Sequence, residues 1–412
     1  MFRSLLFLST ALLTLLPTPG QPRVPTQFPP RADLKAAIDS FVDSRIAADA
    51  FSGGVAVARN GQIVYQRAAG TADRESGARM SIDTRMQIAS MTKLFTNIAI
   101  RQLEQAGKLS LSDTVGKFLP KYPNPVVRSK VTIEQLLRHR SGVGSFWNER
   151  YMARRADVRS VNDYLELFQS DSLLFEPGTS QAYSNGGYVL LGAIIERVSG
   201  KSYHDYVRAN VFVPAGMTST SAYDRRAPLA NAAVGYTTQP LGGPMGGERR
   251  LAGPGGPRPA SAAAAPSGGD APRLRIMGAD GRQLSPEEAR EAMARRAASG
   301  GVRRSNASIQ PGMSGPAGDH YSTVGDFLKL ANAITSYRLL DSAHTTALLD
   351  ARYASGTDFR SNGGGPGVNA EFSIYPSGDV VVALSNYDPP SATDVAQYIR
   401  SLIAPPVAAG RN

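Results

Sequence analysis

Met86-Gln-Ile-Ala-Ser-Met-Thr-Lys-Leu-Phe-Thr-Asn97 decides how this chain is read. It contains Ser90-Met91-Thr92-Lys93, followed by the apolar positions Leu94, Phe95, Ile98, Ala99, Ile100 and Leu103. That spacing is helical and apolar almost all round, which predicts a helix buried among other elements. Gly107 supplies the stop. Ser90 then sits at or near the helix N-terminus, and Lys93 lies one turn on along the same face. A serine hydroxyl needs a nearby base to act as a nucleophile. A buried lysine can lose its proton and serve. The same residues would also suit an ordinary capped core helix with a snorkelling lysine.

The 412 residues contain no cysteine and four histidines. Disulfides and thiol chemistry are excluded. The scattered histidines offer no zinc-ligand spacing, so no zinc site is expected. Residues 1–20 read as a secretory signal. Arg3 precedes an apolar run from Leu5 to Leu16, and Pro17 to Gly20 break it. The run is too short to span a bilayer comfortably. The expectation is a periplasmic or secreted protein without a stable membrane anchor. An uncleaved signal anchor is the alternative.

Residues 21–32 are Pro-rich and read as a linker. A helix is expected over 33–49. A hairpin follows, with Asn60-Gly61 between the strands 53–58 and 62–66. Residues 108–235 read as helical pieces broken by Pro and Gly. Within them stands Tyr183-Ser184-Asn185, behind Phe175-Glu-Pro-Gly-Thr179. A phenol held near lysine can act as a general base. An amide such as Asn185 can hold a carbonyl or the lysine.

Residues 239–312 are rich in Gly, Pro, Ala and Arg, with 11 Arg against 6 acidic residues. They read as a flexible insertion that cannot bury enough apolar area to order itself. A short exposed helix is expected over Ser285 to Ala298, opened by Ser285-Pro-Glu-Glu288. The basic balance of the chain, a formal +11, comes partly from this segment. It carries no nucleic-acid motif, so no nucleic-acid partner is expected. The fold resumes with helices from Val324 and Ser342, strands over 372–375 and 380–384, and a closing helix over 394–403. Residues 405–412 read as a loose tail. Before those strands stands Phe359-Arg-Ser-Asn-Gly-Gly-Gly-Pro-Gly367, where glycines entering a strand would let backbone approach a ligand.

Ser90-x-x-Lys93, Tyr183-x-Asn185 and a late glycine-rich strand, in that order, resemble the serine β-lactamase and penicillin-binding-protein superfamily. The likeness is greatest to its class C β-lactamase-related esterases, D-aminopeptidases and D,D-peptidases. Gly107-Lys-Leu-Ser-Leu-Ser-Asp113, Leu136-Leu-Arg-His-Arg-Ser-Gly142 and Pro214-Ala-Gly-Met217 agree with it. The resemblance implies a mixed α/β (α+β) fold. An antiparallel sheet made by both chain ends is flanked by helices and joined to an all-helical region. The serine hydrolase domain would comprise 33–238 and 313–404.

The resemblance also implies roles. Ser90 would form an acyl-enzyme, and Lys93 and Tyr183 would share the proton traffic. Asn185 would hold substrate or Lys93. The N–H groups of Ser90 and Gly364 would form the oxyanion hole, beside Gly363. The substrate would be a small ester or a peptide-like amide, with cell-wall fragments as a second candidate. One departure stands out. The position where the resemblance implies Lys or His is Ser361, in Ser361-Asn362-Gly363. A missing cation there argues against β-lactamase or carboxypeptidase activity. It also leaves a second reading, a weakly active or inactive fold acting as a cell-wall or envelope binding protein.

Overall fold

The computed structural model describes residues 31–239, 241, 301–354 and 357–403. The expected signal (1–20), most of the linker, the helix over 285–298 and the tail from 405 lie outside them. The first helix, α1 (Arg31–Ala47), starts two residues inside the stretch read as linker.

A five-stranded antiparallel sheet is built from both chain ends. Its strands are β1 (Gly53–Arg59), β2 (Gln62–Ala69), β3 (Phe359–Gly365), β4 (Val368–Ile374) and β5 (Asp379–Ser385), in the order β2-β1-β5-β4-β3. β1 and β2 are joined at Asn60 and Gly61, both at positive φ (48° and 77°). That backbone is what a two-residue hairpin matched to strand twist requires. β1 then pairs with β5 from Gly53↔Ser385 to Arg59↔Asp379, so residues more than 300 apart share one ladder.

Side chains alternate across the sheet. Val55, Val57, Val381 and Ala383 face α1 and the last helix, α5 in the numbering used here (Ser391–Ile403). The rings of Phe41 and Tyr398 stack between those two helices at 4.1 Å. Ala56, Ala58, Phe372, Val380, Val382 and Leu384 face the other way, into a second and larger core. That core holds α2 (Thr92–Gln105), α3 (Asn185–Ser199) and α4 (Val324–Thr335) with the shorter helices of 115–215. The sheet is buried on both faces, which explains why its central strands read as continuous apolar runs. Among the described residues no helix is long and apolar enough to cross a membrane.

The late glycine-rich segment is a strand as expected, the edge strand β3. Glycine has low strand propensity, and here pairing with the fully buried β4 sets the conformation. One expectation is corrected, that for 301–312, assigned to the flexible insertion. Arg304–Ser305 pairs with Tyr236–Thr237, and Asn306, Ile309 and Gln310 are buried. The segment has few apolar residues, so polar contacts do the anchoring. Asn306 Nδ2 donates to Pro366 O at 2.9 Å. Arg303 bonds Asp49 at 3.0 Å and lies over the Tyr387 ring.

Replacing Asn306 by Ala would leave the Pro366 carbonyl buried without this donor. Denaturant unfolding should show Asn306→Ala less stable by about 1–3 kcal/mol. An unchanged midpoint would mean that this segment is not docked.

Candidate active site

Ser90 lies on a single 3-10 turn (Ala89–Met91) that runs straight into α2. The turn is entered through Ala89, at φ 44°. A left-handed alanine costs of order 1–3 kcal/mol and persists only where its surroundings impose it. They do so through a short antiparallel ladder. Met86 and Gln87 pair with Ser322 and Tyr321. Ile88 N donates to His320 O at 2.9 Å, and Asp319 N donates to Ala89 O at 3.3 Å. The connector 317–322 thus runs beside the residues that lead to the serine.

Lys93 is 7 % exposed. Its Nζ lies 3.1 Å from Ser90 Oγ, 2.8 Å from Asn185 Oδ1 and 2.5 Å from Ala317 O. Burial lowers its pKa below the ordinary lysine value, while Tyr183 and Asp319 pull it the other way. Tyr183 OH donates to Ser90 Oγ at 2.6 Å, and Lys93 Nζ sits 4.8 Å from the Tyr183 ring centre. Four residues expected from the sequence, Ser90, Lys93, Tyr183 and Asn185, are therefore brought into one hydrogen-bonded group.

Tyr183 is 56 % exposed and needs external support. His139 gives it. Ser184 N donates to His139 Nδ1 at 3.1 Å, Ala182 N donates to His139 O at 3.0 Å, and the two rings lie 4.7 Å apart. Burial, with Lys93 nearby, pushes the His139 pKa down to about 4, so its ring is neutral and Nδ1 can accept. Ser184 caps α3 by accepting from Gly187 N at 2.8 Å. That cap sets Asn185 at the first turn, where its Nδ2 donates to Ser145 Oγ at 3.2 Å.

The glycine strand closes the group from the sheet side. A Cβ on Gly363 would stand 2.3 Å from Ile88 O and 3.0 Å from Ser90 N, so only glycine lets β3 press against the serine turn. Gly363 thus lies beneath the site. Gly364 is exposed and lines the cavity. The two-residue connection after Gly365 makes Gly365–Val368 the hydrogen-bonded closing pair. Alternation then turns the Gly364 N–H to the free edge of the sheet. Ser361 is not among the residues lining the cavity. It shares the strand face of Gly363 about 7 Å further along, and its side chain is too short to span that gap.

The cavity over Ser90 has a volume of about 470 Å³. Phe146, Trp147, Leu174, Ile309, Pro366 and Val368 give it apolar walls. Its polar floor includes residues that the sequence reading missed. Gln87 and Gln310 form a reciprocal amide pair at 2.8 and 3.0 Å, and Gln87 Nε2 also donates to Asp319 Oδ1 at 2.9 Å. Gln87 and Gln310 are 223 positions apart, and no local pattern marks such a pair. Asp319 had a faint signal, an aspartate amid the Gly and Pro of a connector. Among the described residues no cluster of three or more His, Asp or Glu converges as a metal site would need.

A family model described as Beta-lactamase matches residues 36–404. Penicillin-binding protein 4* of Bacillus subtilis (strain 168) is 36% identical over 179 residues, 43% of this chain and 39% of that protein. The match thus spans about two fifths of that relative's length. The crystal structure of a penicillin binding protein from Bacillus halodurans superposes with a TM-score of 0.64 at 26% identity, covering 89% of this chain and 99% of that one. A D-amino acid amidase from Ochrobactrum anthropi SV3, complexed with L-phenylalanine amide, has a TM-score of 0.64 at 21% identity over 90% of this chain and 98% of that one. The last is a likeness of fold.

Gly363→Ala should separate β3 from the serine turn. We expect folded protein whose labelling at Ser90 by an acylating fluorophosphonate is at least tenfold slower. Unchanged labelling would show that the contact does not position Ser90.

Proposed function

The chain belongs to the Beta-lactamase family, and from that premise we propose that it is a serine hydrolase cleaving a small ester or amide through an acyl-enzyme on Ser90. The observation that carries this reading is the contact set around Ser90 Oγ. Tyr183 OH lies at 2.6 Å and Lys93 Nζ at 3.1 Å, at the floor of a cavity open to substrate.

The proton inventory works when Lys93 is neutral. Its two N–H bonds then go to Asn185 Oδ1 and Ala317 O, and its lone pair faces the Ser90 hydroxyl. As Ser90 Oγ attacks the carbonyl carbon, its proton passes to Lys93 Nζ. The oxyanion takes hydrogen bonds from the N–H groups of Ser90 and Gly364. When the carbon–leaving-group bond breaks, the leaving group takes the Tyr183 proton. The Lys93 ammonium restores that proton to the phenolate beside it. A water then attacks the acyl-enzyme by the reverse route, giving the acid and free Ser90. Each residue finishes in its starting form.

Ser361 and the cavity wall support esters and amides without a carboxylate over β-lactams, because among the described residues no cation lines the cavity. The apolar run Leu5–Leu16 supports export. Nothing in the arrangement favours a nucleic-acid partner.

Ser90→Ala should abolish turnover of a short-chain aryl ester and the mass gain of an acyl adduct. Wild type that forms no adduct with any acylating probe would leave the binding-protein reading in place. A second test uses pH. The base acts when unprotonated, so kcat/KM should rise with pH to a plateau whose midpoint lies below the ordinary lysine value near 10.5. Lys93→Arg keeps the charge at all working pH and should lose at least 10²-fold in kcat. A flat profile across that range would exclude Lys93 as the base.

A further inference from the structure

Among the described side chains that line the cavity, Asp319 is the one that carries a formal charge. Its placement is specific. It faces Ala89 across the ladder beside the serine, through Asp319 N to Ala89 O at 3.3 Å. It is a non-glycine residue at φ 74°. Aspartate tolerates that conformation better than most residues but still at a cost, so the site keeps a carboxylate where glycine would be easier. Its own hydrogen bonds are few. Gln87 Nε2 donates to Oδ1, and Gln87 is itself fixed by Gln310. Lys93 spends its contacts on Ser90, Asn185 and Ala317. The nearest arginine on β3, Arg360, is held by Asp358 at 2.6 Å. A carboxylate can accept about four hydrogen bonds, so Asp319 retains acceptor capacity in a wall whose other described residues are neutral.

Resting on the hydrolase reading above, and deepening it, we propose that Asp319 selects the substrate. It receives a primary ammonium carried next to the scissile carbonyl, so the enzyme acts on amino-acyl amides and esters with a free amine. The apolar walls of Phe146, Trp147, Leu174 and Val368 take the side chain of that amino acid. The oriented Gln310–Gln87–Asp319 chain holds the carboxylate ready, which lowers the ordering cost of binding. A carboxylate-bearing acyl group is repelled by the same residue. Asp319 is a specificity residue in this scheme, and it takes no proton from the substrate carbonyl chemistry.

The test compares three p-nitroanilides with matched shape: phenylalanine p-nitroanilide in both hands, 3-phenylpropanoyl p-nitroanilide, which lacks the amine, and benzylsuccinyl p-nitroanilide, which carries a carboxylate. Wild type should prefer one hand of the amine-bearing compound over the amine-free one by tenfold or more in kcat/KM. Asp319→Asn keeps the shape, and Asp319→Gly suits the backbone angle should Asn fold poorly. Either should cut that preference by at least tenfold and narrow the discrimination against the carboxylate. A wild type with Ser90-dependent turnover but no preference for the amine overturns the proposal and leaves the hydrolase standing. Equal losses on the amine-bearing and amine-free compounds in both variants also overturn it, because Asp319 would then act through Lys93. A wild type with no Ser90 adduct on any compound fails the hydrolase reading itself.

Discussion

Holding an amine out of water beside a serine is the demand that shapes this protein. Lys93 Nζ is bound by oxygens from one near and two distant parts of the chain: the turn before its own helix, the first residue of α3, and the connector ahead of α4. An uncompensated buried ammonium would cost several kcal/mol or shift to its neutral form. Each partner must therefore be delivered accurately, and close backbone approach delivers them. A Cβ on Gly192 would stand 2.2 Å from Pro316 Cγ, so glycine there lets the connector lie down on α3 and present Ala317 O. Gly186 does the same against Gly144 O, and Gly363 against Ile88 O. The glycines of the site are where three layers meet without side chains between them.

Two non-glycine residues in left-handed backbone face one another at the heart of this arrangement. Ala89 and Asp319 sit at φ 44° and 74°, joined by one hydrogen bond. Each conformation is unfavourable by itself. Together they bend both strands of a short ladder away from regular pairing, which frees Ser90 to point into the cavity. The ladder upstream, Met86–Gln87 with Tyr321–Ser322, is buried and regular, so it can impose the bend.

The sequence was most legible where physics is local or periodic. The Asn60-Gly61 hairpin and the buried helix after Ser90 both carry short-range signals, and the structure has them in place. The group Ser90, Lys93, Tyr183 and Asn185 was legible through resemblance, since no local rule joins residues 93 positions apart. Illegible were features made by tertiary contact alone. The docking of 301–312 comes from scattered polar bonds, and the Gln87–Gln310–Asp319 chain from three segments meeting. Ser361 was readable as a residue that could not carry a charge. Its distance from the cavity was not, because that depends on how far along β3 the serine turn is pressed.

The short pairing of Tyr236–Thr237 with Arg304–Ser305 brings residues 67 or more positions apart side by side. It forms a clasp, and on either side of it the chain is committed to the fold. The clasp's downstream strand leads within a few residues to Gln310 on the cavity floor, so the pairing that rejoins two distant parts of the chain also sets one end of the amide pair beside Asp319.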